Sequence, residues 1–256
     1  MESPLYFICT IGFSMAFFVL LFNKGYKNAN KFLAGYLFFA SLYMMQNFVL
    51  IYSKSVNLVL LFTLTQPFFY LIGPFAFLHI RSLTTGRTKL SLIDILHFIL
   101  FIICLIGLVP YYFSSWDYKL AASVNIIGEN WSTNAYNLNF IFRSEVDQIL
   151  NLIQIFFYTL ALWNLSNLNK KGLTNNELNS KQLTVINKYV IIFCTIFTLI
   201  CIDFFFAIWN ILVYQNKSEF IYQTNFIVFI ATFIYLAMNF SILFFPRIMT
   251  GMDPER

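Results

Sequence analysis

Asp203 stands near the middle of an apolar run, Tyr189 to Tyr214, where an ionised carboxylate costs about 2.5–3.5 kcal/mol on membrane-insertion scales. Fourteen Ile, Leu and Phe residues in the same run, at roughly −0.3 to −0.6 kcal/mol each, outweigh it and keep insertion favourable. Two chemistries fit such a group: a ligand or proton site, or a carboxyl hydrogen-bonded to a neighbouring helix. Other polar residues share helix faces with the spacing of an inward stripe. Asn210 follows Asp203 by seven, Asn151, Gln154 and Tyr158 stand at i, i+3 and i+7, and Asn225, Thr232 and Asn239 recur every seven residues. Taken one at a time, these favour interhelical hydrogen bonds worth about 0.6 kcal/mol each. Taken by depth, Gln46, Asn47, Gln66, Asn151, Gln154, Asn210 and Asn225 fall in the outer halves of their spans under the topology below. That distribution predicts a polar pocket opening outward, built from Asp203, Asn210, Gln46, Gln66, Asn151, Gln154 and Asn225.

A second group lies at the opposite depth. His79 is followed by Arg81, and Asp94 and His97 are spaced i, i+3. Together they form a candidate ionic cluster at the inner mouth, with His79, Asp94 and His97 as switch residues; the competing reading is of histidines satisfied structurally. Catalytic motifs are missing: the sequence holds no HExxH, no GxSxG and no glycine-rich phosphate loop. With 2 histidines, and Cys9, Cys104, Cys194 and Cys201 all inside apolar runs without a CxxC pair, no metal site and no cofactor is expected. A membrane enzyme pairing Asp203 with His79 or His97 would need groups at different depths to meet, so no catalytic residue is assigned.

The elements that must position these groups are membrane spans. Leu58 to Ile80 runs 23 residues without Asp, Glu, Lys or Arg, enough at about 1.5 Å per residue to cross a hydrocarbon layer of roughly 30 Å. Inside it, Gln66-Pro67 and Gly73-Pro74 interrupt the backbone ladder, which makes Pro67, Gly73 and Pro74 hinge candidates. Arg81, Arg87 and Lys89 close the run and mark its cytoplasmic end. The whole chain is 59% hydrophobic and 11% charged, against about 45–50% and 25% in soluble domains, with a mean hydropathy of +0.72. It reads as an all-α bundle of seven spans, about 5–22, 32–52, 58–80, 92–113, 144–165, 189–214 and 220–245. An N-terminus outside and a C-terminus in the cytoplasm place 12 basic residues inside and 4 outside, and reversal would invert that ratio. Residues 1–246 then form one transmembrane domain and 247–256 a cytoplasmic tail. Residues 114–143 read as an outer loop whose Trp116, Trp131 and tyrosines suit the headgroup layer. No internal repeat of the kind common in transporters is visible.

Several stretches resemble the membrane-embedded N-terminal region of the AraC-type transcriptional regulators of Bacteroidetes-like bacteria. They are NKGYKNANKFLAGYLF, QPFFYLIGPFAFLHIRSLT, KLSLIDILHFILFIICLIGLVPYYF and FFPRIMTG. The Gly73-Pro74 stretch with its Arg81-Ser82-Leu83 exit and the Pro246-Arg247-Ile248 exit are the most specific. The resemblance implies a multi-pass sensor in a bacterial inner membrane, responding to a small-molecule or envelope signal, acting as a homodimer and reaching DNA through a helix-turn-helix domain. The sequence departs from that pattern at Arg256, about ten residues past the last span, so the DNA-binding residues have no counterpart here and the output domain is expected to be separate or missing. The expected mechanism is a ligand in the outer pocket that shifts the sixth and seventh spans against the third, with no change without differential affinity for two arrangements. The alternative class is a small transporter or channel with Asp203 on the substrate or proton path.

Overall fold

The computed structural model describes residues 2–22, 27–87, 89–127, 138–173, 180–213, 217–245 and 248. Every regular element among them is helical. In chain order they are α1 (Glu2–Leu21), α2 (Lys27–Tyr52), α3 (Val56–Thr63), a 3-10 segment (Gln66–Leu71), α4 (Ile72–Thr85), α5 (Leu92–Ile95), a second 3-10 turn (Leu96–Phe98), α6 (Ile99–Gly107), α7 (Val109–Phe113), α8 (Trp116–Ile127), α9 (Ser144–Leu173), α10 (Ser180–Val213), α11 (Lys217–Ser241) and a last 3-10 turn (Ile242–Phe244).

Five of these stretches are long and apolar enough to cross a membrane: Asn28–Val49, Leu92–Phe113, Val146–Asn167, Thr184–Asn210 and Asn225–Phe244; Tyr6–Leu21 is apolar but shorter. The surface agrees with a lipid setting. Only 22% of the Leu92–Phe113 window is buried within the chain, and Phe113, Phe157, Phe206 and Phe233 point outward from different helices, a display of apolar surface far beyond what water-soluble monomers carry.

The run expected as one helix over 58–80 is divided. α3 stops at Thr63, Leu64 and Thr65 form a turn, and the chain advances as a 3-10 segment before α4 begins at Ile72. Pro67 explains the break, since it has no N–H to donate and its ring collides with the carbonyl four residues back. The three hinge candidates thereby take different roles. Pro67 sits at the discontinuity, whereas Gly73 and Pro74 lie in the first turn of α4, where proline costs no internal hydrogen bond. Gly73 serves close packing: a Cβ there would fall 2.3 Å from the Tyr158 ring of α9. α4 ends at Gly86, whose φ of +67° gives the left-handed C-terminal cap. Ser91 and Asp94 then start α5 through a reciprocal capping box.

Six helices close a ring by successive contact, α1 on α2, α2 on α4, α4 on α9, α9 on α10, α10 on α11 and α11 back on α1. The main core, with Tyr36, Leu37, Ile80, Phe193 and Phe197 fully buried, fills its middle. A second core of Tyr70, Cys104, Leu108, Tyr111 and Ala122 ties α6, α7 and α8 to the 3-10 segment outside that ring. The stretch expected as an outer loop therefore contains a helix, α8, packed on α3. Trp131 and Tyr136 of that stretch lie outside the described residues.

Candidate functional site

The seven residues expected to share one outward pocket are distributed over separate places. Gln46, Gln66 and Gln154 gather where α2, the 3-10 segment and α9 meet, with Asp147 of the first turn of α9 at the centre; Asn151, one turn further along α9, is buried with its Oδ1 unpartnered among the described residues. Gln66 Nε2 donates to Asp147 Oδ2 at 2.5 Å, and the Tyr70 hydroxyl lies 2.8 Å from Oδ1 and 2.9 Å from the Asp147 carbonyl. Cys104 Sγ approaches Oδ1 at 3.6 Å. The surrounding bonds extend the same network: Gln154 Nε2 donates to the Tyr70 carbonyl at 3.1 Å, and Thr65 Oγ1 to Gln46 Oε1 at 2.9 Å. This is the interhelical glue reading realised. It also serves the break in the chain, because Thr65, Gln66 and Tyr70 are the residues around Pro67 whose regular helical ladder is lost. Asn225 is exposed and accepts from the Tyr52 hydroxyl at 2.7 Å, and Asn210 is half-buried on α10, so neither joins this group.

Asp203 lies apart from it, inside the ring. It lines a cavity of about 50 Å³ bounded by α2, α4, α9, α10 and α11, together with Tyr36, Tyr43, Phe204, Tyr235 and Asn239. Among the described residues its carboxyl has no hydrogen-bond or ion-pair partner. Two further polar atoms of the lining are buried without partners there, the Tyr36 hydroxyl and Asn239 Oδ1. Their neighbours are already committed: Asn239 Nδ2 donates to the Tyr235 carbonyl at 2.8 Å, and the Tyr235 hydroxyl meets Ser41 Oγ at 2.7 Å. A buried polar atom without a partner costs on the order of 1–3 kcal/mol, and two of them beside the half-buried Asp203 carboxyl make this void a candidate site for a polar guest. Sequence reasoning singled out Asp203 and noted the spacing of Asn239. It missed Tyr36, Tyr43 and Tyr235, whose rings read as apolar until a bundle turns their hydroxyls inward.

The inner group resolves into an ion pair and two separate histidine contacts. Arg81 and Asp94 form a buried two-pronged salt bridge, with Arg87 at 3.9 Å from the same carboxylate and Ser91 N donating to it at 2.7 Å. Neither histidine is hydrogen-bonded to this pair, so the expected cluster is an ion pair with His97 near enough to feel both its charges. His79 Nδ1 lies 2.8 Å from the Ala29 carbonyl, and since a carbonyl only accepts, Nδ1 carries the proton and Nε2 faces the Tyr189 hydroxyl at 2.9 Å. His97 Nδ1 meets the Tyr158 hydroxyl at 2.8 Å. The histidines thus bind α4 to α2 and α10, and the start of the Leu92–Phe113 stretch to α9.

A last contact set joins this level to the end of α11. The Phe245 ring packs edge-on against Tyr189 at 5.4 Å between centroids, and Asn30 Nδ2 donates to the Ile248 carbonyl at 3.2 Å. Among the described residues no cluster of His, Cys, Asp and Glu could hold a metal ion. Taken together, fold and site define a helical bundle with lipid-compatible faces and a largely apolar cavity in its interior that carries a few polar atoms. Comparison with known proteins adds no relative: no family model matches the sequence, and neither a curated protein nor a solved structure matches it.

Proposed function

We propose that the chain is the membrane-embedded sensing part of an AraC-type transcriptional regulator, multi-pass in a bacterial inner membrane, with the Asp203 cavity as its ligand site. The seven crossings are α1, α2, the broken α3–α4 unit, the Leu92–Phe113 stretch, α9, α10 and α11. The 12 to 4 distribution of basic residues orients the N-terminus outward and the tail inward. One observation carries the reading: α11 lines the cavity through Tyr235 and Asn239, and two turns later its exit is latched by Phe245 on Tyr189 and by Ile248 on Asn30. A ligand that favours one packing of α10 and α11 around the cavity would bias that latch, which leads to whatever follows Pro246. A helix-turn-helix output would read the signal passed through that latch, and pairing of sensors would match the paired half-sites such domains read.

The test is RNA sequencing of the native host carrying the wild-type gene, Asp203→Asn or Asn30→Leu. The sensor reading expects the two variants to change an overlapping set of transcripts, because both act on the same latch. Unchanged transcripts in both would overturn it. The intramembrane carboxyl also suits a small transporter or channel; uptake or conductance in reconstituted vesicles that Asp203→Asn abolishes and Asn30→Leu leaves intact would favour that class.

A further inference from the structure

The polar atoms left over in the Asp203 cavity are nearly all acceptors. Asp203 offers two carboxylate oxygens and Asn239 its Oδ1, while the Asn239 amide donor is spent on the Tyr235 carbonyl. The Tyr36 hydroxyl can accept or donate. Among the described residues no Lys, Arg or His lines the void to neutralise the carboxylate. An occupant that keeps Asp203 ionised must therefore bring positive charge and several N–H or O–H donors.

Its size and wall narrow the choice. At about 50 Å³ the cavity holds a few heavy atoms, since a single water takes roughly 10–15 Å³ by the same measure. Tyr36, Tyr43, Phe204 and Tyr235 present aromatic rings, which attract organic cations through their faces. A bare metal ion would find too few oxygens, and a hydrated one too much apolar wall, the remaining lining being aliphatic.

We propose that this cavity binds a small primary ammonium, ammonia's own cation or a short alkylammonium, with its N–H groups directed to Asp203, Asn239 Oδ1 and the Tyr36 hydroxyl. This rests on the sensor reading only in making the cavity the place where the signal acts; binding itself needs no transcriptional output, so the two can fail separately.

The experiment is calorimetric titration of the purified chain in lipid nanodiscs with methylammonium chloride, in an amine-free buffer, with sodium chloride and tetramethylammonium chloride as comparators. Saturable methylammonium binding is expected, with affinity about tenfold or more weaker in Asp203→Asn and several-fold weaker in Tyr36→Phe. Tetramethylammonium, which has no N–H and twice the bulk or more, is expected not to bind. Absence of saturable methylammonium binding, equal binding by Asp203→Asn, or saturable binding of sodium alone each overturns the proposal. Should Asp203→Asn fail to purify as a folded protein, Tyr36→Phe, which removes one hydroxyl, decides by the same criterion. If binding holds while the transcripts of the native host are indifferent to Asp203→Asn, the cation site stands and the sensor reading falls.

Discussion

Asp147 and Asp203 are the same side chain in the same kind of helix, and their surroundings have opposite character. Asp147 is met by a tyrosine hydroxyl, a glutamine amide and a thiol, all from elements packed directly against it. Asp203 faces a void where the Tyr36 hydroxyl and Asn239 Oδ1 are buried without partners among the described residues. Burial alone does not tell a structural carboxyl from a functional one; the balance of donors and acceptors around it does. Asp147, met directly by donors, holds the broken α3–α4 unit to α9, while Asn151 Oδ1 and Gln154 Oε1 nearby are buried without partners among the described residues. Where acceptors remain beside a cavity, the proposed donor-rich guest would complete them.

Four substitutions break or sharpen that contrast. Arg81→Met should have the largest effect, because it strands Asp94 in the interior with only Ser91 and the distant Arg87 guanidinium; a loss of about 3–4 kcal/mol is expected in denaturant unfolding of the solubilised protein. Asp147→Leu leaves the Gln66 amide without its acceptor and the Tyr70 hydroxyl with the backbone carbonyl alone, and should cost about 2–3 kcal/mol in the same assay. Gly73→Ala probes the α4–α9 seam that carries the Asp147 network. Its new methyl would press on the Tyr158 ring and should cost about 1–3 kcal/mol, with loss of the Tyr158–His97 contact visible in the histidine ring resonances. Asp203→Asn should change stability least, within about 1 kcal/mol, since the carboxyl forms no bond among the described residues whose loss would be felt.

Much of this architecture is legible in the sequence, because the uncharged runs and the basic residues between them mark helices and their ends. The Pro67 break was foreseeable from the missing N–H, although its form, a turn followed by a 3-10 segment, depends on Asp147 and Gln46 arriving from other helices. The single outward pocket failed for a related reason. Periodicity assigns residues to a face of one helix and says nothing of what stands opposite, so Gln66 and Asp203 looked alike until α9 was placed against the first and α11 against the second. Tyr36 and Tyr235 carried no warning, since tyrosine suits a lipid interface, a core and a binding site equally well. α8 was hidden by the aromatics of its stretch, which read as a headgroup belt.

The most direct test is to unfold wild type, Asp147→Asn and Asp203→Asn side by side in nanodiscs, each with and without methylammonium. Asp147→Asn is expected to be less stable than wild type and yet still to gain stability from the cation, because its cavity is intact. Asp203→Asn is expected to match wild type without the cation and to gain nothing from it. If instead Asp203→Asn is the destabilised variant, or both variants keep the cation's stabilisation, the division of labour between the two carboxyls is contradicted.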